Sequence, residues 1–308
     1  MSAPLQGREL RVAQGEANRL ESIRIGSESH KQLFCQTFIQ THDPFKPEEI
    51  AWPDLDDESL ARLKSLPVWN EAARTEAATA VKVQALGRTE PDPVLAEAIA
   101  LQGYEEARHA DVIQRLTRRY DIAVKPFPEP EVPKDPTWAF LRTGYGECLD
   151  SFFAFGLFAL GGRSGLFPPK IISIFETIMQ EEARHILFIV NWAAYLRAQR
   201  PMPLRPAFDA RRAWHIVAQA VDRVRGAMQM GGAAGGDSQG GFTLKSHTSF
   251  SDLSLRPFLE LCLSENERRF ASYDRRLLRP MLVPSTVKVL LKVLPRGKTA
   301  TPSSAAAA

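Results

Sequence analysis

Three observations predict an all-α fold. The stretch from residue 67 to 199 is made of long segments with helical periodicity. Two of those segments carry the same pentapeptide, Glu-Glu-Ala-Arg-His, at Glu105–His109 and again at Glu181–His185. The connections between segments run short, long, short, which joins two helical hairpins end to end. The expected architecture is therefore a four-helix bundle with one long crossover, plus extra N- and C-terminal helices.

The elements follow in order. Residues 1–30 are polar and mixed in charge and read as an arm with some helix. Lys31–Gln40 carries Leu33, Phe34, Phe38 and Ile39, enough to lay one face of a short helix on the bundle. Asp43-Pro44 and Pro47 break the chain, and Asp57 is a candidate N-cap for a short helix over Ser59–Leu63. The first long helix spans Pro67–Leu86, with Gly87 as its expected C-cap. A turn at Arg88–Pro93 leads to the second, Val94–Tyr120, which holds the first pentapeptide.

Asp121–Pro136 contains five prolines and reads as extended chain. At about 3.1 Å per residue it could cover roughly 50 Å, more than the roughly 37 Å of a helix of about 25 residues. It is long enough to return the chain to the far end of the bundle. The third helix, Thr137–Leu160, a turn at Gly161–Pro169 and the fourth helix, Lys170–Gln199, complete the core. Beyond it lie a helix over Phe208–Met230 with Trp214, Val217, Ala218, Val221 and Val224 on one face, a glycine-rich stretch at Gly231–Gly241, helices over Arg256–Tyr273 and Thr286–Leu294, and a polar tail. The expected division is an arm (1–66), a four-helix domain (67–200), further helices (201–297) and a disordered tail (298–308).

Residues three apart on a helix project from one face. Glu106 therefore pairs with His109, and Glu182 with His185. A carboxylate and an imidazole on one face, given twice, is how a helix bundle holds two metal ions in its core. Such a site needs one more carboxylate from each of the other two helices. The first helix offers Glu71 and Glu76, the third Glu147 and Asp150. Equal height across a hairpin selects among them: Glu147 precedes Glu182 by 35 residues, and Glu76 precedes Glu106 by 30 across a shorter turn. Glu76 also shares a face with Ala72, Ala73, Thr79, Ala80 and Val83. The expected metal residues are Glu76, Glu106, His109, Glu147, Glu182 and His185, with Glu71 and Asp150 as the rivals.

Over about Pro67–Gln199 these residues resemble the di-iron carboxylate proteins of the ferritin-like superfamily, which place Glu, ExxH, Glu and ExxH on four successive helices. The resemblance implies a ferritin-like bundle holding two iron ions, with two manganese ions as the alternative. Bacterial multicomponent monooxygenases write the motif as DExRH, where Asp and Arg orient the ligand histidines. By that resemblance Glu105 with Arg108, and Glu181 with Arg184, form supporting pairs behind the ligands. Glu in place of Asp departs from that pattern. Ribonucleotide reductase small subunits carry a radical tyrosine one turn after the first histidine, where this chain has Ile113. The activity implied is O2 activation to oxidise an organic small molecule, with electrons from a separate donor protein. Iron storage, peroxide removal and a metal-free interaction bundle are the alternatives.

Composition bounds the rest. A net charge of +3 over 308 residues gives no argument for nucleic acid. The three cysteines are far apart with no CxxC pair, which fits a reduced compartment and excludes a rubredoxin-type iron site in this chain. No apolar run is long enough to span a bilayer, so neither membrane insertion nor a secretory signal is expected, and the reading is cytoplasmic. Homo-oligomerisation is left open. His30, His42, His215 and His247 read as packing or surface histidines, and Glu265 and Glu267 as members of a solvated helix face. The basic amphipathic stretch Val287–Lys292 reads as docking on the bundle.

Overall fold

In a computed structural model of the chain, residues 23–165, 167–231 and 255–294 are described; the tail, Gly232–Gly241 and His247 lie outside them. The described residues are helical with no strand, so the all-α expectation holds. No helix among them is long and apolar enough to cross a membrane.

Nine α-helices are numbered here in chain order: α1 (Glu28–Gln40), α2 (Asp57–Ser65), α3 (Trp69–Thr89), α4 (Pro93–Arg119), α5 (Pro136–Arg163), α6 (Pro169–Gln199), α7 (Arg205–Gly231), α8 (Leu255–Phe270) and α9 (Leu282–Val293). The helices α3 to α6 pack pairwise: α3 on α4, α5 on α6, α3 on α5, and α4 on α6. The α3–α4 pair is the tightest. A Cβ on Gly103 would meet Gln84 Cγ at 2.9 Å and its backbone nitrogen at 3.1 Å, so glycine sets that distance. Between α5 and α6, a Cβ on Gly144 would lie 2.4 Å from Ile189 Cγ2.

Starts and stops have local causes. Asp92 caps α4, its carboxylate accepting from the Val94 and Leu95 amides at 3.0 and 3.2 Å, with Pro93 as the first helical residue. Asp135 does the same for α5 through the Trp138 amide, and Pro136 opens that helix rather than closing the crossover. Gly87 is not a C-cap. It lies inside α3, which runs to Thr89, and a Cβ there would touch the Ala100 backbone at 3.4 Å. Gly161 and Gly162 likewise belong to α5, and the turn rests on Gly165 at φ +68°. The crossover is fastened to the end of the bundle: the Lys125 amide donates to Asn70 Oδ1 at 2.6 Å, and Ile122, Val124 and Phe127 pack on a core formed by Leu63, Trp69, Leu116 and Ile171.

Both flanks close over α6. On α1, Phe34, Cys35 and Phe38 are buried, and the Phe34 and Phe38 rings both pack against Phe188. His30 is a packing histidine, its Nε2 3.0 Å from Asn191 Oδ1. The same Asn191 Oδ1 accepts from the Leu278 amide at 2.9 Å, and its Nδ2 donates to the Leu278 carbonyl at 3.0 Å. The flanking helices orient their faces, and one surface expectation, for Glu265, is corrected. Trp214, Val217 and Val221 on α7 face solvent at 70, 56 and 39% exposure, because α7 turns Phe208, His215 and Arg223 toward α5 instead. Glu265 is buried rather than solvated, held by Arg163 at 3.1 Å and Arg268 at 2.7 Å. Glu267 does face solvent, with Lys288 at 3.1 Å.

Candidate metal centre

The two pentapeptides meet. Donor atoms of Glu106, His109, Glu182 and His185 all lie within 4.8 Å of one another. These side chains come from the facing surfaces of α4 and α6, and the two histidine rings stack with centroids 5.5 Å apart. His109 Nδ1 is 3.1 Å from Glu182 Oε1, and His185 Nδ1 is 3.0 Å from Glu106 Oε1. Each imidazole thus sits nearest the inward carboxylate of the other pentapeptide.

The outer nitrogens are also paired reciprocally. His109 Nε2–H donates to Glu181 Oε2 at 2.8 Å, and His185 Nε2–H to Glu105 Oε2 at 2.9 Å. Arg108 donates to Glu181, and Arg184 to Glu105. The expected pairs within each helix are also close, Arg108 to Glu105 at 3.9 Å and Arg184 to Glu181 at 3.7 Å, but the shorter contacts cross the gap. Neighbours three apart on one helix point side by side toward the facing helix, so each guanidinium finds its carboxylate across the gap. The result is a closed set of two carboxylates, two guanidiniums and two imidazoles, all at most 4% exposed. A buried charge is tolerated when paired in this way.

Glu76 and Glu147 adjoin the cluster from α3 and α5. Glu76 Oε2 lies 3.6 Å from His109 Nδ1. Burial pushes the Glu76 carboxyl up to about 8, with the charges of Glu182 and Glu106 adding to it and His109 opposing. Burial, then the charges of Glu106 and Glu182, holds Glu147 well above the carboxylate range. The rivals are engaged elsewhere: Glu71 with Arg74 at 2.6 Å, and Asp150 with Arg223 of α7 at 2.8 Å.

For the histidines burial favours the neutral ring, but nearby carboxylates outweigh it. Glu181, Glu182 and Glu76 raise His109; Glu106 and Glu105 raise His185. Glu106 moves the other way, since His185 overcomes the effect of burial. The cluster therefore retains protons in the absence of another cation, and a metal ion would displace them.

Chemically the converging donor set is two imidazoles and two carboxylates, with the Glu76 and Glu147 carboxyls adjoining it. Carboxylates at Nε2 fix the neutral tautomer that turns the Nδ1 lone pair inward. Neither His109 Nδ1 nor His185 Nδ1 has a hydrogen-bond partner, and the same holds for Glu182 Oε1 and Glu147 Oε2, though all four atoms are buried. Once the rings are neutral, the buried Nδ1 atoms and the carboxylates they face are all acceptors, a set that fits a divalent cation of the N/O-binding class.

Sequence spacing missed His42. It lies half-buried with Nδ1 on Glu105, forming a second acidic group with Glu105 and Glu181. The chain just after it is tied down by Arg108, which donates to the Asp43 and Phe45 carbonyls at 2.7 and 3.1 Å and covers the Phe45 ring at 4.0 Å. No periodicity could have pointed to it, since it lies in a loop 63 residues from Glu105. His215 stacks on Trp138 at 5.2 Å. Comparison of the chain with protein-family models, with curated proteins and with solved structures returned no match.

Proposed function

We propose that the chain is a dimetal protein of the ferritin-like kind, and that its activity is oxidation of an organic small molecule with O2. The observation that carries this reading is the pair of buried, unpartnered Nδ1 atoms facing carboxylates while both Nε2 atoms are committed to Glu105 and Glu181. An apolar or hydrogen-bonded core would not leave these groups so disposed, because each unpaired buried polar group costs about 1–3 kcal/mol. The short, long, short connection of α3 to α6 supports the ferritin-like assignment.

In this reading Glu76, Glu106, Glu147, Glu182, His109 and His185 hold two iron ions, with two manganese ions as the alternative loading. Two ferrous ions would supply the electrons and open coordination positions that O2 reduction needs. The remaining work belongs to the chain. Glu105 and Glu181 fix the tautomer of each histidine, and Arg184 and Arg108 hold those carboxylates in place. Glu182 and Glu76, with side chains 13 and 21% exposed, form the accessible side of the cluster, while Glu106 at 2% stays sealed. Glu182 and Glu147 are the carboxylates with room to change position. A separate donor protein would return electrons, and a cytoplasmic location is part of the same reading.

The test is metal content by mass spectrometry, on protein from iron-supplemented cells beside a Glu106→Ala/Glu182→Ala variant. About two irons per chain, lost in the variant, is the expected result. About two manganese per chain would replace O2 chemistry with peroxide chemistry. No metal in either protein would overturn the reading.

A further inference from the structure

A charge count around the cluster leaves one half-buried cation over, apart from the exposed Arg142. Glu76, Glu106, Glu147 and Glu182 would be balanced by two divalent ions with both histidines neutral. Behind them Glu105 and Glu181 are matched by Arg184 and Arg108. At the rim Asp150 is matched by Arg223, and Glu71 by Arg74. His42 bears on Glu105 from the far, sealed side. Lys82 on α3 has no such match: it forms no ion pair among the described residues, and its polar contact is the Thr143 hydroxyl of α5, 3.3 Å from Nζ.

Lys82 is half-buried on α3, the helix that also carries Glu76. Burial pulls its ammonium below the ordinary lysine range, the negative charges of Glu147 and Glu106 oppose that, and Arg142 and Arg74 add to the positive field. A buried cation beside further cations is costly unless an anion joins it. Thr143 stands one turn before Glu147, about 6 Å along the helix axis. Lys82 and Thr143 thus bridge α3 and α5 one level above the two carboxylates those helices contribute.

We propose that Lys82, with the Thr143 hydroxyl beside it, anchors the carboxylate of an anionic organic substrate whose other end, a few carbon atoms away, faces Glu76 and Glu147. This rests on the dimetal reading above, because two divalent ions are what leave Lys82 uncompensated. The ammonium donates charge-assisted hydrogen bonds to the substrate carboxylate, and the hydroxyl donates one more. A neutral substrate of the same shape would leave the ammonium buried and unpaired, so the site selects for the charge as well as the shape.

The experiment uses the full chain loaded anaerobically with Fe(II), its iron counted by mass spectrometry, and titrated in a calorimeter with benzoate and with benzamide. The variants are Lys82→Met, which keeps the length and removes the charge, and Lys82→Arg, which keeps the charge. Benzoate should bind the parent protein at least about tenfold tighter than benzamide, the scale of one charge-assisted hydrogen bond. Lys82→Met should lose that preference with iron content and melting temperature unchanged, and Lys82→Arg should retain most of it. Equal benzoate affinity in parent and Lys82→Met, no preference over benzamide, or no benzoate binding to the iron-loaded parent would overturn the assignment of Lys82 and leave the dimetal reading standing. A parent protein that takes up no iron would overturn both.

Discussion

The two copies of Glu-Glu-Ala-Arg-His are identical in sequence and unequal in surroundings. The copy on α4 is sealed. Glu106 is 2% exposed, and Arg108 ties Glu181 to the carbonyls of Asp43 and Phe45. The copy on α6 is looser. Glu182 is 13% exposed, and Arg184 lies over the Phe38 ring at 4.8 Å with Glu105 as its carboxylate. The loop around His42 is held by Arg108 of the α4 copy and reaches the α6 copy at Glu181. A repeated motif therefore specifies a reciprocal carboxylate–histidine cluster, while the segments packed around it decide which half is more open to solvent.

This asymmetry can be broken at several points. The largest effect is expected for Arg108→Met. It strips Glu181 of its guanidinium and frees two loop carbonyls, so it should cost about 3–5 kcal/mol in chemical denaturation, the scale for orphaning a buried charge. Arg184→Met should cost less, about 1.5–3 kcal/mol, because Glu105 keeps both His185 and His42. Equal losses in the two variants would contradict the asymmetry. His42→Ala should cost only about 1 kcal/mol and leave the metal content intact.

Acidity offers a subtler test. Glu76 titrates near 8 in the folded metal-free protein, against an ordinary value of 4.5, and Glu147, His109 and His185 are also raised. A raised group contributes stability that is complete below its unfolded pKa and is lost as pH rises through its folded one. The melting temperature of metal-free protein should therefore fall between pH 6 and about pH 8. Metal should remove most of that slope, because the bound ions take the place of the protons. A metal-free melting temperature that rises across this interval would argue that Glu76 is not held in the cluster.

Much of the centre could be read from spacing alone, and the reason is geometric. A helix converts a three-residue interval into a shared face, so Glu106 with His109 and Glu182 with His185 follow from the chain. Equal height across a hairpin likewise separates Glu76 from Glu71, because helical rise is fixed. Contacts between helices are not encoded in that way. The cross-pairing of Arg108 with Glu181 depends on which residues face each other over the gap between α4 and α6. His42 and Lys82 reach the site from a loop and from the edge of a helix, where no period marks them. The apolar stripe of Trp214, Val217 and Val221 shows the same limit: periodicity says that one face differs from the other, and packing decides which face turns inward.

Asn191 sets a timetable for the making of this protein. Its side chain receives His30 from 161 residues earlier and Leu278 from 87 residues later. Helix α1 must therefore wait, with Phe34 and Phe38 uncovered, until α6 and its Phe188 have been synthesised, and Asn191 waits longer still for Leu278. Contacts of such long range slow folding and prolong the life of sticky intermediates. The span of chain that secures the finished centre is also the span during which a nascent copy most needs shielding from its neighbours.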